Sequence, residues 1–335
     1  MKKIETNEIT PEIKSSLRTR IISALVLAAI IGPALFIGDW FFFFVVLAFA
    51  ICASYELVHV MKLQTKTKYF IGIAAMVLML SFIYWIFIKN NISNFEEANF
   101  DNILINNFND LLVSTVLILV AAGVFFFISF VEEEFTVQHV CYLLAMTIIV
   151  ALCFQSFLYL RYSPFEQFKN AGVDTSTGVF KYAQSAFLII YVVLGTISTD
   201  IGAYFVGILF GKHKLNPRIS PKKTWEGFFG GIIFSCLVSL AWAFFLDLGG
   251  YPILPSLDLN HWYWVLLISA VMPIIANLGD FAFSAIKRSY GIKDFSKIIP
   301  GHGGVLDRID SVLFTCGFVS VMLVFINSGW EAFTF

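Results

Sequence analysis

Runs of about 20 predominantly apolar residues recur nine times along the chain, near 21–38, 40–61, 69–88, 111–130, 138–160, 186–210, 227–246, 262–286 and 309–328. Each is long enough to cross a hydrocarbon layer of about 30 Å as a helix, and the runs lack the mixed pattern that keeps one face of a soluble helix or strand wet. The pattern predicts an all-α polytopic membrane protein. Little more than Gly38 and Asp39 separates the first two runs, which predicts a tight helical hairpin. There is no internal repeat, heptad run or low-complexity linker.

The polar intervals set the expected orientation, because Lys and Arg are retained on the cytoplasmic side. With the N-terminus inside, the cytoplasmic intervals hold Lys2, Lys3, Lys14, Arg18 and Arg20, then Lys62, Lys66 and Lys68. They also hold Lys212, Lys214, Arg218, Lys222 and Lys223 in 211–226, and Lys287, Arg288, Lys293, Lys297 and Arg308 in 287–308. That is 18 of 22 basic residues, leaving Lys89, Arg161, Lys169 and Lys181 outside. Glu132, Glu133 and Glu134 occupy one inner interval, but acidic residues weigh little in this rule. The expectation is nine spans, N-terminus cytoplasmic and C-terminus outside. It divides the chain into a cytoplasmic segment 1–20, a helical scaffold 21–185, and a region 186–335 whose inner loops, 211–226 and 287–308, carry the chemistry.

Composition agrees with the pattern. Of 335 residues, 59% are hydrophobic and 13% charged, against roughly 25% charged in a soluble domain. The net charge of −1 offers no basic field for nucleic acid, so no nucleic-acid partner is expected. Cys52, Cys141, Cys153, Cys236 and Cys316 stand singly in apolar stretches, which predicts buried reduced thiols. The first apolar run ends without an A-x-A-like site, so a cleaved leader is not expected.

Acidic residues inside the predicted spans carry more information, since a charge at the bilayer centre costs about 3 kcal/mol on insertion scales. Glu56, Asp200, Asp280 and Asp310 qualify. Asp200, Asp280 and Asp310 fall near the cytoplasmic ends of three different helices, with Asp307 one turn before Asp310. Asp307 and Asp310 could cap a helix N-terminus with Arg308 as counter-ion. A cap needs one carboxylate, however, and several without a basic partner inside the helices suggest a divalent cation; hard oxygen ligands favour Mg²⁺.

Two loops complete the constellation. In HKLNPRISPKKTWEG, Ser220 and Pro221 are expected to fix a turn, and Thr224 to cap the seventh helix with Glu226 in its first turn. The Thr224 hydroxyl, nearby amides and the Lys222 and Lys223 ammonium groups resemble a polyphosphate seat. In the second loop, Gly301, Gly303 and Gly304 flank His302, so that backbone amides can approach an anion, with Lys287, Arg288, Lys293 and Lys297 before them and the Asp307/Asp310 pair after. Basic loops for phosphate beside carboxylates for metal fit phosphoryl or nucleotidyl transfer to a lipid headgroup. No Walker A or GxGxxG motif is present.

The stretch Ser284-x-x-Lys287-Arg288-x₄-Lys293-Asp294-x-Ser296, followed by Pro300-Gly301-His302-Gly303-Gly304-x-x-Asp307-Arg308-x-Asp310, resembles the signature of the CDP-diacylglycerol synthases, or phosphatidate cytidylyltransferases. Ser220–Gly227, Asp200-x-x-Ala203-Tyr204 and Gly279-Asp280 also resemble family blocks. The resemblance covers roughly 195–315, with Glu56 as an outlying match among the N-terminal helices. It implies an integral membrane enzyme of bacterial inner-membrane type, facing the cytoplasm, that converts CTP and phosphatidate to CDP-diacylglycerol and pyrophosphate. It further implies Mg²⁺, assisted in some members by K⁺.

Carried onto this sequence, Asp280, Asp307, Asp310, Lys293, Asp294 and His302 become catalytic candidates. Ser220, Lys222, Lys223, Thr224, Lys287, Arg288, Gly301, Gly303, Gly304 and Arg308 become substrate-binding candidates. Asp280 and Asp307 are the first metal ligands expected, with Asp310 and Asp200 in support. Lys222 and Lys223 are assigned the β,γ-phosphates, the GHGG backbone a phosphate, and Lys287, Arg288 or Lys293 the lipid phosphate. Membrane lipids are the further expected partners, and a homodimer is left open. Two other readings remain at this point, a CTP-dependent polyprenol or phytol kinase and an ion-coupled transporter.

Overall fold

The computed structural model describes residues 11–64, 67–92, 110–175, 180 and 183–328. Lys2, Lys3, Lys66, Lys181 and most of the 89–110 interval lie outside them. Among the described residues there are nine long helices: α1 Pro11–Ile37, α2 Asp39–His59, α3 Thr67–Ile92, α4 Asp110–Val131, α5 Val137–Asn170, α6 Phe187–Phe210, α7 Trp225–Leu248, α8 Trp262–Ser289 and α9 Leu306–Ser328. Seven are long and apolar enough to cross a membrane, while α3 and α4 contribute shorter apolar stretches, Thr67–Ser81 and Thr115–Val131. The molecule is thus an all-α multi-pass membrane protein.

Three boundaries differ from the sequence expectation for physical reasons. Helix α5 continues ten residues past 160, so Arg161 does not stand in an outer loop. It is 1% exposed and satisfied inside the bundle, its Nε donating to Leu35 O at 3.1 Å and Nη1 to Ser185 Oγ at 2.9 Å. Helix α8 runs on to Ser289, placing Lys287 and Arg288 in its last turn, where cations meet the negative end of the helix dipole. Ser220 and Pro221 do not make a turn. They belong to β2 (Ser220–Thr224), paired antiparallel with β1 (Lys214–Asn216). The turn lies between the strands, where Asn216 Oδ1 accepts from the amides of Arg218 and Ile219 and Pro217 fixes the backbone. The thiols also depart from expectation: Cys153 and Cys316 are buried, but Cys141 is exposed.

The apolar core is continuous across the chain, with α5 packed on α2, α3 and α9, and α8 on α6, α7 and α9. At one end the connecting segments are tied to one another. Glu132 accepts from Thr67 Oγ1 and Glu134 from the Gln64 amide, which gives the acidic 132–134 segment a structural task. Lys62 reaches Tyr290 O, and Arg288 reaches Ile219 O and Ile292 O. All the basic loops singled out from the sequence meet at this end.

Candidate active site

The hairpin between α6 and α7 is anchored by its flanks. Thr224 caps α7, its hydroxyl accepting from the Gly227 amide at 3.2 Å, and Glu226 accepts from the amides of Lys212 and His213 and pairs with His213 Nδ1 at 2.6 Å. Because side chains alternate along a strand, adjacent Lys222 and Lys223 point to opposite faces. Lys222 is exposed. Lys223 turns inward, forms an ion pair with Asp280, and donates to Asn277 Oδ1 at 3.1 Å.

Asp280 stands on α8 one turn after Asn277, with Ser284 Oγ donating to it from the next turn. Gly279 sets how closely α8 approaches α9: a Cβ there would lie 2.9 Å from Asp310 O and from Phe314 Cβ. That contact brings Asp280 and Asp310 into one electrostatic neighbourhood. Asp200 on α6 joins them, exposed rather than packed, and the three acids interact with Lys223, Lys287 and Arg308. Asp310 itself is buried and accepts from the Ser311 amide at 2.7 Å.

Asp307 is differently employed. Its Oδ2 accepts from the Phe295 amide at 2.8 Å and the Gly304 amide at 2.9 Å, and its Oδ1 from Lys287 Nζ at 2.7 Å, with the carboxylate almost wholly enclosed. It organises the signature loop. The glycine run is likewise occupied with its own turn: Ile299 O accepts from the amides of His302 and Gly303, so the amides of His302, Gly303 and Gly304 are all engaged within the loop. Gly301 and Gly303 have φ of 76° and 92°, which favours glycine at both positions. Lys293, Asp294 and Lys297 are exposed on the outer side of the loop, whereas Lys287 is buried against Asp307 and the Phe295 ring.

Glu56 on α2 is the residue whose task the sequence left open. Fully buried, it accepts from Ser296 Oγ at 2.6 Å, the Val305 amide at 2.7 Å and the Leu306 amide at 2.8 Å. It therefore supplies from another helix the cap that α9 lacks in its own sequence. Gly304 admits it, since a Cβ there would fall 2.6 Å from the carboxylate. An unpaired intramembrane acid was the available signal. Asn277 gave none, being one polar residue in an apolar run.

His302 joins the loop to α1 by a 2.7 Å hydrogen bond between Nδ1 and Ser23 Oγ. Burial, and then the nearby Arg308 and Arg20 charges, hold its imidazole below the ordinary histidine value. The folded state thus disfavours the protonated ring. The stability this gives is fully present above the unfolded value, about 6.5, and is lost as pH falls below it. Thermal midpoints recorded between pH 8 and 5 are expected to drop more steeply for the wild type than for His302→Gln; parallel curves would count against this.

Among the described residues, no three His, Cys, Asp or Glu side chains stand together at metal-binding distance. The donors at the centre are nonetheless hard oxygens, and the Lys223 ammonium occupies the point where Asp280 and Asn277 oxygens converge. A cation already sits where this donor set suits one.

Residues 18–326 match the model of the cytidylyltransferase family. The chain belongs to the cytidylyltransferase family. Relatives named phosphatidate cytidylyltransferase include one from Staphylococcus epidermidis, 43% identical over 151 residues, which is 45% of this chain and 52% of that protein. One from Staphylococcus aureus is 40% identical over 152 residues, with 45% and 52% covered. One from Staphylococcus haemolyticus is 43% identical over 143 residues, 43% and 49% of the two chains. The chain spans about half the length of the curated relatives it matches. As a member of the cytidylyltransferase family, it places its charged loops and the acids of three helices at a single end of the helix bundle.

Proposed function

We propose that this chain transfers the cytidylyl group of CTP to phosphatidate, giving CDP-diacylglycerol and pyrophosphate, at the cytoplasmic face of a bacterial inner membrane. The observation that carries the proposal is the Lys223–Asp280 ion pair, with Asp200, Asp310 and Lys287 in its electrostatic neighbourhood, at the end where the basic loops converge. Family membership and the names of the relatives support the substrates.

A phosphate oxygen of phosphatidate attacks the α-phosphorus of CTP, the bond to the bridging oxygen of the β-phosphate breaks, and pyrophosphate departs with that electron pair. The nucleophile is already anionic, so little proton abstraction is needed; the demand is for positioning and for neutralising charge on the leaving group. Asp280, Asp310 and Asp200, with the Asn277 carbonyl, would hold Mg²⁺; K⁺ as a second cation remains part of the proposal. When bound, Mg²⁺ supplies positive charge to the phosphate oxygens. Asp307 keeps the signature loop in register, and its Oδ1 is released only if Lys287 moves. Lys223, beside Asp280, would supply positive charge to the triphosphate, while exposed Lys222 would meet CTP from the open face of the hairpin.

Membranes given CTP labelled at the α-phosphate and phosphatidate should yield labelled lipid and pyrophosphate with Mg²⁺, and neither without it. Release of CDP would instead indicate a lipid kinase. Lys223→Ala is expected to raise the KM for CTP by about tenfold or more, and Lys222→Ala by less, with the KM for lipid unchanged in both. A larger effect on lipid KM would move these lysines to the other substrate.

A further inference from the structure

A cleft of 610 Å³ opens between the end of α2 and the 292–298 segment, and none of the four site aspartates lines it. Tyr55, His59 and Lys62 form one wall. Tyr55 and His59, spaced i and i+4, stack on one face of α2 with ring centroids 5.6 Å apart, and Lys62 follows three residues past the helix end; all three are exposed, passing from an aromatic ring to an ammonium group toward the basic end. Lys62 holds a left-handed backbone, φ 54°, the single non-glycine residue with positive φ among the described residues. Its Nζ bonds Tyr290 O at 3.3 Å, which fixes the ammonium beside the cleft with hydrogens to spare. Backbone strain of this kind is kept where position matters.

The opposite wall brings Lys293, Lys297 and Asp294 from the signature loop, with Ile298 and Ile292 giving it an apolar side. Three ammonium groups against one carboxylate leave a net charge of +2 before His59 is counted. A phosphate monoester carries about −1.5 to −2 at neutral pH, whereas a phosphodiester lipid carries a single charge, so the balance suits the monoester. The lining suits an amphiphile: charge from the lysines at one side, and the Tyr55 ring with Ile292 and Ile298 for an apolar body. The other lipid-phosphate candidates are already committed, Lys287 to Asp307 and Arg288 to Ile219 O and Ile292 O.

We propose that this cleft is the entry seat for the phosphate monoester headgroup of the lipid substrate, bordering the site through Phe295, whose amide bonds Asp307, with Lys62 just past α2 and Lys297 of the signature loop as its clamps. The inference rests on the cytidylyl-transfer reading and names the lipid side of that site. It gives the N-terminal helices a part in substrate binding.

The test uses the full chain in phosphatidylcholine nanodiscs carrying fluorescent phosphatidate, with neither CTP nor Mg²⁺. Lys297→Gln and Lys62→Gln are each expected to weaken phosphatidate binding about fivefold, with Lys62→Arg retaining most of it. Phosphatidylglycerol should compete at least about tenfold less well than phosphatidate, and inorganic phosphate and glycerol 3-phosphate hardly at all. Unchanged binding in Lys297→Gln, an exposed position whose substitution spares the fold, overturns the proposal. So does equal competition by phosphatidylglycerol or by inorganic phosphate. Because binding is read without turnover, a wild type that binds phosphatidate through these lysines yet makes no CDP-lipid defeats the cytidylyl-transfer reading and leaves the seat standing.

Discussion

Membranes carrying Asp280→Asn are expected to form CDP-lipid at less than about a tenth of the wild-type rate, with the protein still inserted and its thermal midpoint little changed. Asparagine preserves the volume beside Gly279 and one oxygen for Lys223 and Ser284, so the α8–α9 contact survives. What disappears is the charge that faces Lys223 and joins Asp200 and Asp310 in attracting a hard cation. Asp307→Asn provides the contrast. It removes the partner of a buried lysine and disturbs a carboxylate that accepts from two amides, so activity and thermal midpoint should fall together. More than about a tenth of normal activity in Asp280→Asn would remove that residue from the reaction.

Glu56→Ala should be the most destabilising single change in the N-terminal helices. It strips the amides of Val305 and Leu306 and the Ser296 hydroxyl of their acceptor within the bundle, where water does not replace it. Each buried donor left unsatisfied costs about 1–3 kcal/mol, so a loss of several kcal/mol is expected, read as a lower thermal midpoint in detergent. Glu56→Gln is the more telling variant. Its one acceptor oxygen cannot serve both Val305 and Leu306 as the two carboxylate oxygens do, and its NH₂ opposes an N–H donor. The start of α9 should shift, and CDP-lipid formation fall by about tenfold or more even where the fold is retained. Wild-type activity in Glu56→Gln would mean that Asp307 and Asp310 do not depend on this cap.

The helices were legible because a bilayer demands about 20 apolar residues of any helix that crosses it, and that demand is written into composition. Their ends were less so. Arg161 interrupts an apolar run, yet α5 continues through it, since Leu35 O and Ser185 Oγ satisfy the guanidinium from elsewhere in the chain. The 214–224 hairpin was hidden for a similar reason: two short strands of mostly polar residues carry no hydrophobic period, and their turn depends on the Asn216 side chain. In the site, individual charges could be read but their pairings could not. Lys222 and Lys223 are equivalent in sequence and become distinct only when β alternation turns one toward Asp280. Asp307 and Asp310 share a spacing that suggests a matched pair, yet loop amides claim the first and leave the second among acids from other helices.

The cap on α9 also bears on how the protein is made. Glu56 and the amides of Val305 and Leu306 are separated by 249 and 250 residues. At a synthesis rate of about 5–20 residues per second, the carboxylate waits roughly 12 to 50 s for its partners to leave the ribosome. During that interval the second helix carries a carboxyl group whose hydrogen-bond donors do not yet exist. A chain that stops short of Leu306 can neither finish this junction nor assemble the acids above it. The order of synthesis therefore leaves the α2–α9 junction to close only after α9 has been made.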